Sequence, residues 1–230
     1  MSAAGAVLFD LDGTLLDLPV DIEPVRREVE RLLVEAGQGG AARPLLDAID
    51  AAAAAVATSR GAAAGRELRA RARALIDAAE LAAARHARPR PGAASAVARL
   101  RQLGVGMGIV TDNGRACLAP ALAAAGIDGV DWCAVTRDDV YRPKPAADGV
   151  VLAARSLCRS GGAIWYAGDS PRDVAAARAA AGELGPDFRI RVVAVLGGRG
   201  GEEMLRRAGP DDLVSSLTAF ASLVDAGQDH

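Results

Sequence analysis

A few residues of this 230-residue chain have the types and spacing to do chemistry: Asp10 and Asp12 in "DLDGTL", Thr111 in "IVTDN", Lys144 in "RPKPAADG", and Asp169 and Asp173 in "GDSPRD". Lys144 is the sole lysine, since the other 26 of the 27 basic residues are arginine. An ammonium is a compact point charge that fits between a phosphate and a carboxylate, where the wide guanidinium fork does not. For that position taken alone, chance placement on a solvated surface is the ordinary explanation. Asp10 and Asp12, two apart on a backbone that continues extended, face the same side. Carboxylates that close repel, and one takes a proton unless a cation lies between them. Asp169 and Asp173 bring further acid, and such a set of hard oxygen ligands suits Mg²⁺, which keeps waters and a substrate phosphate in its shell. Gly13 and Gly114 leave room for backbone amides to approach an anion.

Each motif also has an ordinary explanation. "DxDG" serves as a turn closing a strand, and in "GDSPRD" either Asp169 or Ser170 can cap the helix that follows. What distinguishes the set is its joint order, each member falling at the end of an apolar run or the start of a helical one.

Those runs are the elements that must position the acids. "AVLFD" (6–10), "VGMGIVT" (105–111), "WCAV" (132–135), "AIWYAGD" (163–169) and "IRVVAVL" (190–196) read as buried strands. Helical text lies between them at 93–103, 115–125, 145–160 and 172–181, with Gly104, Gly126 and Gly182 as C-terminal stops. Strands alternating with helices predict right-handed crossovers and a mainly parallel, doubly covered sheet. In such sheets ligands sit beyond the carboxyl ends of the strands, which is where the acids and Thr111 fall, with Lys144 in the connection between the third and fourth strands. Residues 18–90 break the alternation with alanine-rich helical text, so an inserted helical bundle is expected there, closed by the prolines of "RPRPG" (88–92). The predicted fold is α/β: a Rossmann-like parallel-sheet core formed by 1–17 and 91–230, and an all-helical cap formed by 18–90.

The bulk properties narrow the class. About half the residues are apolar and the net charge is -2, so no field favours nucleic acid or a membrane surface. Cys117, Cys133 and Cys158 form no CxxC pattern and are expected as buried thiols in a reducing cytoplasm. The N-terminal text lacks the basic segment of a signal peptide, and no apolar run reaches membrane-spanning length. Oligomeric state is not written in the sequence.

The four motifs resemble the haloacid dehalogenase superfamily of phosphotransferases. The likeness covers the first 17 residues and roughly 90–220, where "PGAASAVARLRQLGV" and "GGRGGEEMLRRAGPDDLVSSL" are similar to members related to phosphoglycolate phosphatase. The insert matches in position and helical type only. The resemblance implies that Asp10 is the nucleophile, forming an aspartyl-phosphate, and that Asp12 is the general acid and then base. It implies that Thr111 and Lys144, with Asp12, Gly13 and Asp112, hold the phosphoryl group. Mg²⁺ would lie on Asp10, Asp169 and the backbone carbonyl of Asp12, with Asp173 supporting from close by.

The second motif departs from the usual Thr-Asn in carrying Asp112, an extra acid, and "ELGPDFRIR" before the fifth strand is expected to form a long surface loop. A dehalogenase needs neither Asp12 nor the metal acids, and a sugar-phosphate mutase typically carries Glu where Gly168 stands. A non-catalytic phospholigand-binding protein is expected to have lost one of the four core residues, and none is lost. A Mg²⁺-dependent phosphatase acting on a small phosphorylated metabolite is therefore expected, with the mutase and the binding protein as alternatives. Residues 58–90 hold eight arginines against three acids. A solvated helix face accounts for them, and a grip by Arg60 or Arg66 on a substrate carboxylate or second phosphate is the functional alternative. His86 is expected at the surface.

Overall fold

A computed structural model describes residues 4–227 of the chain, so positions 1–3 and 228–230, at the ends of the expected core, lie outside the described residues. In chain order the elements are β1 (Ala4–Phe9), β2 (Leu16–Asp17), α1 (Ile22–Glu35), α2 (Leu45–Arg60), α3 (Ala62–Ala84) and β3 (Arg88–Pro89). They continue with α4 (Ala93–Gln102), β4 (Gly106–Val110), α5 (Arg115–Ala124), β5 (Cys133–Val135), α6 (Asp148–Leu157) and β6 (Gly162–Gly168). The chain ends with α7 (Pro171–Leu184), β7 (Phe188–Val195), α8 (Glu202–Ala208), β8 (Asp212–Val214) and α9 (Leu217–Ala226). Two compact units result: Met1–Leu18 with His86–His230, and Pro19–Arg85. The chain leaves and re-enters the first unit at a two-residue antiparallel ribbon, with Leu16 opposite Pro89 and Asp17 opposite Arg88. That pairing keeps residues 86–90 with the sheet-bearing unit.

Among the described residues the first unit carries a six-stranded sheet in the order β5-β4-β1-β6-β7-β8, every pairing parallel. The chain builds outward from β1 to β4 and β5 on one side, then returns to β6, β7 and β8 on the other. Strand order therefore reverses beside β1, and in sheets of this kind ligands bind at the carboxyl edge of such a switch point. Period-two alternation sends Ala6 and Leu8 of β1 to one face, where they join Val150, Ala153, Tyr166, Val174 and Ala177 in a single cluster. On the opposite face Phe9 meets Phe220 of α9 edge-on at 5.4 Å, and Phe220 meets Trp165 at 6.4 Å. Burying rings this size contributes about 2–3 kcal/mol each, which clamps the strand that ends at Asp10.

The second unit packs α1, α2 and α3 around Val29, Leu33, Ile49, Val56, Leu68, Ala72 and Ile76, apolar positions that recur at helical spacing. Gly65 of α3 lies so close to Ala53 and Ala57 of α2 that a Cβ would collide with them.

The sequence expectations need several corrections. α7 runs through Gly182 to Leu184 and stops at Gly185, φ +85°, so "ELGPDFRIR" is mostly helix end and strand start, not a long loop. Alanine-rich text around Gly182 sustains the helix, and the left-handed stop comes where the backbone turns into β7. The helix expected from 145 starts at Asp148, because Pro143–Ala147 is used as a turn. Cys133 is half-buried while Cys117 and Cys158 are buried, and all three are thiols. No helix among the described residues is long and apolar enough to cross a membrane.

Candidate active site

The sheet register brings the acids together. Phe9 pairs with Ile109 of β4 and Ala167 of β6, so the next residues along each strand emerge on one edge. The Asp10 amide donates to Ala167 O at 2.9 Å, extending the ladder one step beyond β1. From Leu11 the chain coils into a tight turn in which Leu15 N and Leu16 N both donate to Leu11 O. The extended run expected through Asp12 thus ends at Asp10, and the two carboxylates are held by different partners.

Asp10, Asp169 and Asp173 form the cluster: one carboxylate oxygen of each lies within 4.8 Å of the others, all three buried. Lys144 projects into it from the loop before α6. Its Nζ donates to Asp10 Oδ1 at 2.5 Å, to Asp173 Oδ1 at 2.6 Å and to Val110 O at 3.2 Å. An ammonium has three protons, and here each has an acceptor. Burial pulls the Lys144 pKa down, but Asp10 and Asp173 outweigh it and hold the ammonium well above the ordinary lysine value. For Asp10, burial pushes the carboxyl up, Lys144 pulls it down, and the Asp173 and Asp169 charges push it up again. The site is short of positive charge.

Asp173 has no capacity to spare. As the third residue of α7 it completes a capping box with Ser170: its carboxylate accepts from Ser170 N at 3.0 Å while Ser170 Oγ accepts from Asp173 N at 3.3 Å. Its other oxygen takes Lys144 and the Tyr166 hydroxyl at 3.2 Å. Asp169, only 1% exposed, accepts from the Thr14 hydroxyl at 3.2 Å and from the Arg199 amide. Burial raises the Asp169 carboxyl, and the Arg199 amide works against that. Asp10 Oδ2 takes no hydrogen bond from the described residues. Asp10 and Asp169 are thus the carboxylates able to accept a cation, with Asp173 beside them orienting Lys144. Hard oxygens, excess negative charge and burial fit a small divalent cation such as Mg²⁺.

Asp12 stands apart. Its Oδ1 accepts from Leu18 N at 2.9 Å and its Oδ2 from the Arg199 guanidinium. Burial raises its pKa, with Arg199 the main opposing influence. Gly13 adopts φ +100° and donates its amide to Leu16 O at 2.8 Å, so that amide closes the turn. Glycine is required there twice over, for the backbone angle and because a Cβ would fall on the Asp169 carboxylate.

The second-motif loop is built around Thr111. Its hydroxyl donates to Asn113 Oδ1 at 2.8 Å and accepts from Asn113 N at 3.1 Å, and its amide is spent on Val135 O. Asp112 places its carboxylate on Lys144 N at 3.0 Å, with Arg172 at 3.6 Å, so the extra acid braces the lysine loop. Burial raises its pKa against the pull of Lys144. Beneath the loop lies Arg137, 1% exposed, donating to Asp112 O at 2.7 Å. Gly114 caps α5 in extended backbone, a conformation any residue adopts.

In the helical unit Arg69 and Arg73 pair with Asp50 of α2 at 2.9 and 3.4 Å, and Arg66 is exposed. Arg60 lines a groove of about 200 Å³ with Glu35, Glu67 and Arg71, so two acids share that groove with the arginines. His86 is exposed.

Thr14, Asn113, Arg137, Tyr166 and Arg199 were missed from the sequence. Arg199 left a trace in "GGRGG": a Cβ on Gly198 would fall on the Asp169 carboxylate, and one on Gly200 on the Asp169 carbonyl, whose oxygen takes the Gly200 amide at 2.9 Å. Glycines are needed wherever this loop hugs Asp169.

A family model described as haloacid dehalogenase-like hydrolase matches residues 4–181. No curated protein matches the chain. Among solved structures, a hydrolase from Pseudomonas syringae superposes with TM-score 0.69 at 22% identity, over 96% of this chain and 98% of that one. A protein from Haemophilus somnus described as a predicted phosphoglycolate phosphatase gives 0.61 at 18% identity, over 97% and 99%. A family hydrolase from Deinococcus radiodurans, with bound phosphate and sodium, gives 0.60 at 22%, over 99% and 98%.

Proposed function

The chain belongs to the haloacid dehalogenase-like hydrolases, and from that premise we propose that it is a Mg²⁺-dependent phosphatase acting on a small phosphomonoester. The observation that carries this reading is the buried Asp10 at 2.5 Å from the sole lysine of the chain, within 4.8 Å of two more carboxylates at the mouth of a parallel sheet. Asp10 Oδ2 attacks phosphorus, the ester oxygen leaves with a proton from Asp12, and an aspartyl-phosphate remains on Asp10. Asp12 then takes a proton from water, whose oxygen attacks phosphorus and frees Asp10. Lys144 offsets the charge of the nucleophile and faces the transferring group, and Thr111 with Asn113 shapes the loop opposite. Mg²⁺ would be held by Asp10 and Asp169 with the Asp12 carbonyl, and when bound it supplies charge neutralisation for the phosphate oxygens.

The phosphoglycolate phosphatase description of the Haemophilus somnus structure supports a small phosphorylated acid as substrate. Hydrolysis is favoured over a mutase because position 168 has no space for a glutamate: a Cβ on Gly168 would fall on the Asp173 side chain. We assign substrate selection by a cap to the inserted helical unit and, from the three thiols, a reducing cytoplasm to the protein.

The test is phosphate release from a panel of small phosphomonoesters with Mg²⁺ or EDTA, wild type against Asp10→Asn. Metal-dependent turnover absent from the variant is expected. Equal inertness of both proteins on every ester would end the phosphatase reading.

A further inference from the structure

Arg199 is a cation on Asp12 to which the phosphatase reading gives no role. Lys144 has spent its three protons on Asp10, Asp173 and Val110, and Arg137 is buried beneath the Asp112 carbonyl. Arg199 is different. Its backbone is pinned, since its amide donates to Asp169 and the flanking Gly198 and Gly200 lie too close to Asp169 to carry side chains. Its side chain is 66% exposed and rests one nitrogen, Nη2, on Asp12 Oδ2. The Nε and Nη1 groups take no protein partner among the described residues. A fixed root with a half-used fork is built to receive a second anion.

We propose that Arg199 is a specificity-determining residue that binds a carboxylate on the leaving group of the substrate. The inference rests on the phosphatase reading, in which Asp12 must reach the ester oxygen. A guanidinium already touching the Asp12 carboxylate therefore lies on the leaving-group side of the ester. It bridges, with one edge on Asp12 and the other free for a substrate anion. A carboxylate on the ester-bearing carbon is the substrate anion nearest Asp12 and so nearest that free edge, whereas a phosphate at the far end of a longer molecule lies away from it. The substrate class is accordingly the O-phosphoryl 2-hydroxy acids, read from the sheet-bearing unit itself. The assignment adds a selective residue that the arginines of the helical insert do not supply.

Matched esters test it: 2-phosphoglycerate against glycerol 2-phosphate, which replaces the carboxylate with a hydroxymethyl group, with p-nitrophenyl phosphate as a general reporter of turnover. Wild type is expected to prefer 2-phosphoglycerate in kcat/KM. In Arg199→Met every ester suffers from the loss of the Asp12 partner, but that loss is common to both and cancels in their ratio. The preference itself should collapse by about 30-fold, the scale of a charge-assisted pair. Arg199→Lys should recover part of the ratio, because a point charge keeps the attraction and loses the fork. A ratio unchanged in Arg199→Met, or no carboxylate preference in wild type, overturns the assignment while leaving the phosphatase reading intact. Failure of wild type to turn over all three esters removes both.

Discussion

Replacing the lone lysine by the residue that the rest of the chain prefers is the sharpest test of the site. Lys144 Nζ serves three acceptors converging from Asp10, Asp173 and Val110, and the residue is 6% exposed. Lys144→Arg keeps the charge but spreads its donors over a plane, so they cannot radiate from one atom toward all three. The larger head must also displace packed neighbours, at about 1–3 kcal/mol of stability. A misplaced charge at the phosphoryl group forfeits about 2.7–4 kcal/mol of transition-state stabilisation, so kcat should fall roughly 10²- to 10³-fold. Lys144→Met goes further, leaving Asp10 and Asp173 as uncompensated buried acids, a change that costs about 3–5 kcal/mol where such a pair is broken. Its residual activity should appear at higher pH than in wild type. Lys144 pulls the Asp10 carboxyl down against burial and its acidic neighbours, so removing it raises that pKa and delays ionisation of the nucleophile. Phosphate release between pH 5 and 9 and urea melts of the three proteins give the comparison. A Lys144→Arg enzyme within threefold of wild type would refute the claim that a compact ammonium is required.

Other consequences follow from the same geometry. Mg²⁺ at a hundred times its Kd should stabilise the protein by about 2.7 kcal/mol, a rise in Tm of roughly 5–10 °C. Asp169→Asn should abolish that shift, and a full shift in the variant would place the metal elsewhere. Gly198→Ala drives a methyl into the Asp169 carboxylate and should weaken Mg²⁺ binding about tenfold, as losses around a metal ligand do, which calorimetric titration reads directly. Far from the site, burial pushes the Asp211 carboxyl up, but Arg178 at 2.7 Å, the Val192 amide at 2.7 Å and Arg191 outweigh it and hold its pKa below the ordinary value. A carboxyl lowered on folding lends stability above its unfolded pKa, about 3.9, which is lost as pH falls through the folded value. Urea midpoints from pH 5 down to pH 2 should therefore fall less steeply for Asp211→Asn than for wild type, and parallel curves would show that the ion pair contributes nothing.

How far these features were legible depends on where each residue finds its partners. β1, β4, β5, β6 and β7 declare themselves as apolar runs because both faces of a parallel sheet are covered. β8 does not: it is as short as β5 and as half-buried, but where β5 sits in the apolar text "WCAV", β8 opens on the charged Asp212. The two-residue ribbon at which the chain leaves and re-enters the sheet-bearing unit is shorter than any periodicity can register. Asp10 and Asp169 could be read as site residues because acids at strand ends are conspicuous by type, Asp173 because it follows in the same motif, and Lys144 because it is the sole lysine. Tyr166 is not: the continuous apolar run of β6 marks it as core, and nothing local shows that its hydroxyl ends on Asp173. Thr14 and Arg199 owe their roles to partners 155 and 187 residues away, contacts that only the fold creates. The arginine bias of the chain explains both the success and the miss. Against a background of 26 arginines one lysine stands out, and its position asks for a reason. Against the same background Arg199 is one arginine among many, and only the glycines pressed against Asp169 on either side of it show that its backbone has no freedom to be anywhere else.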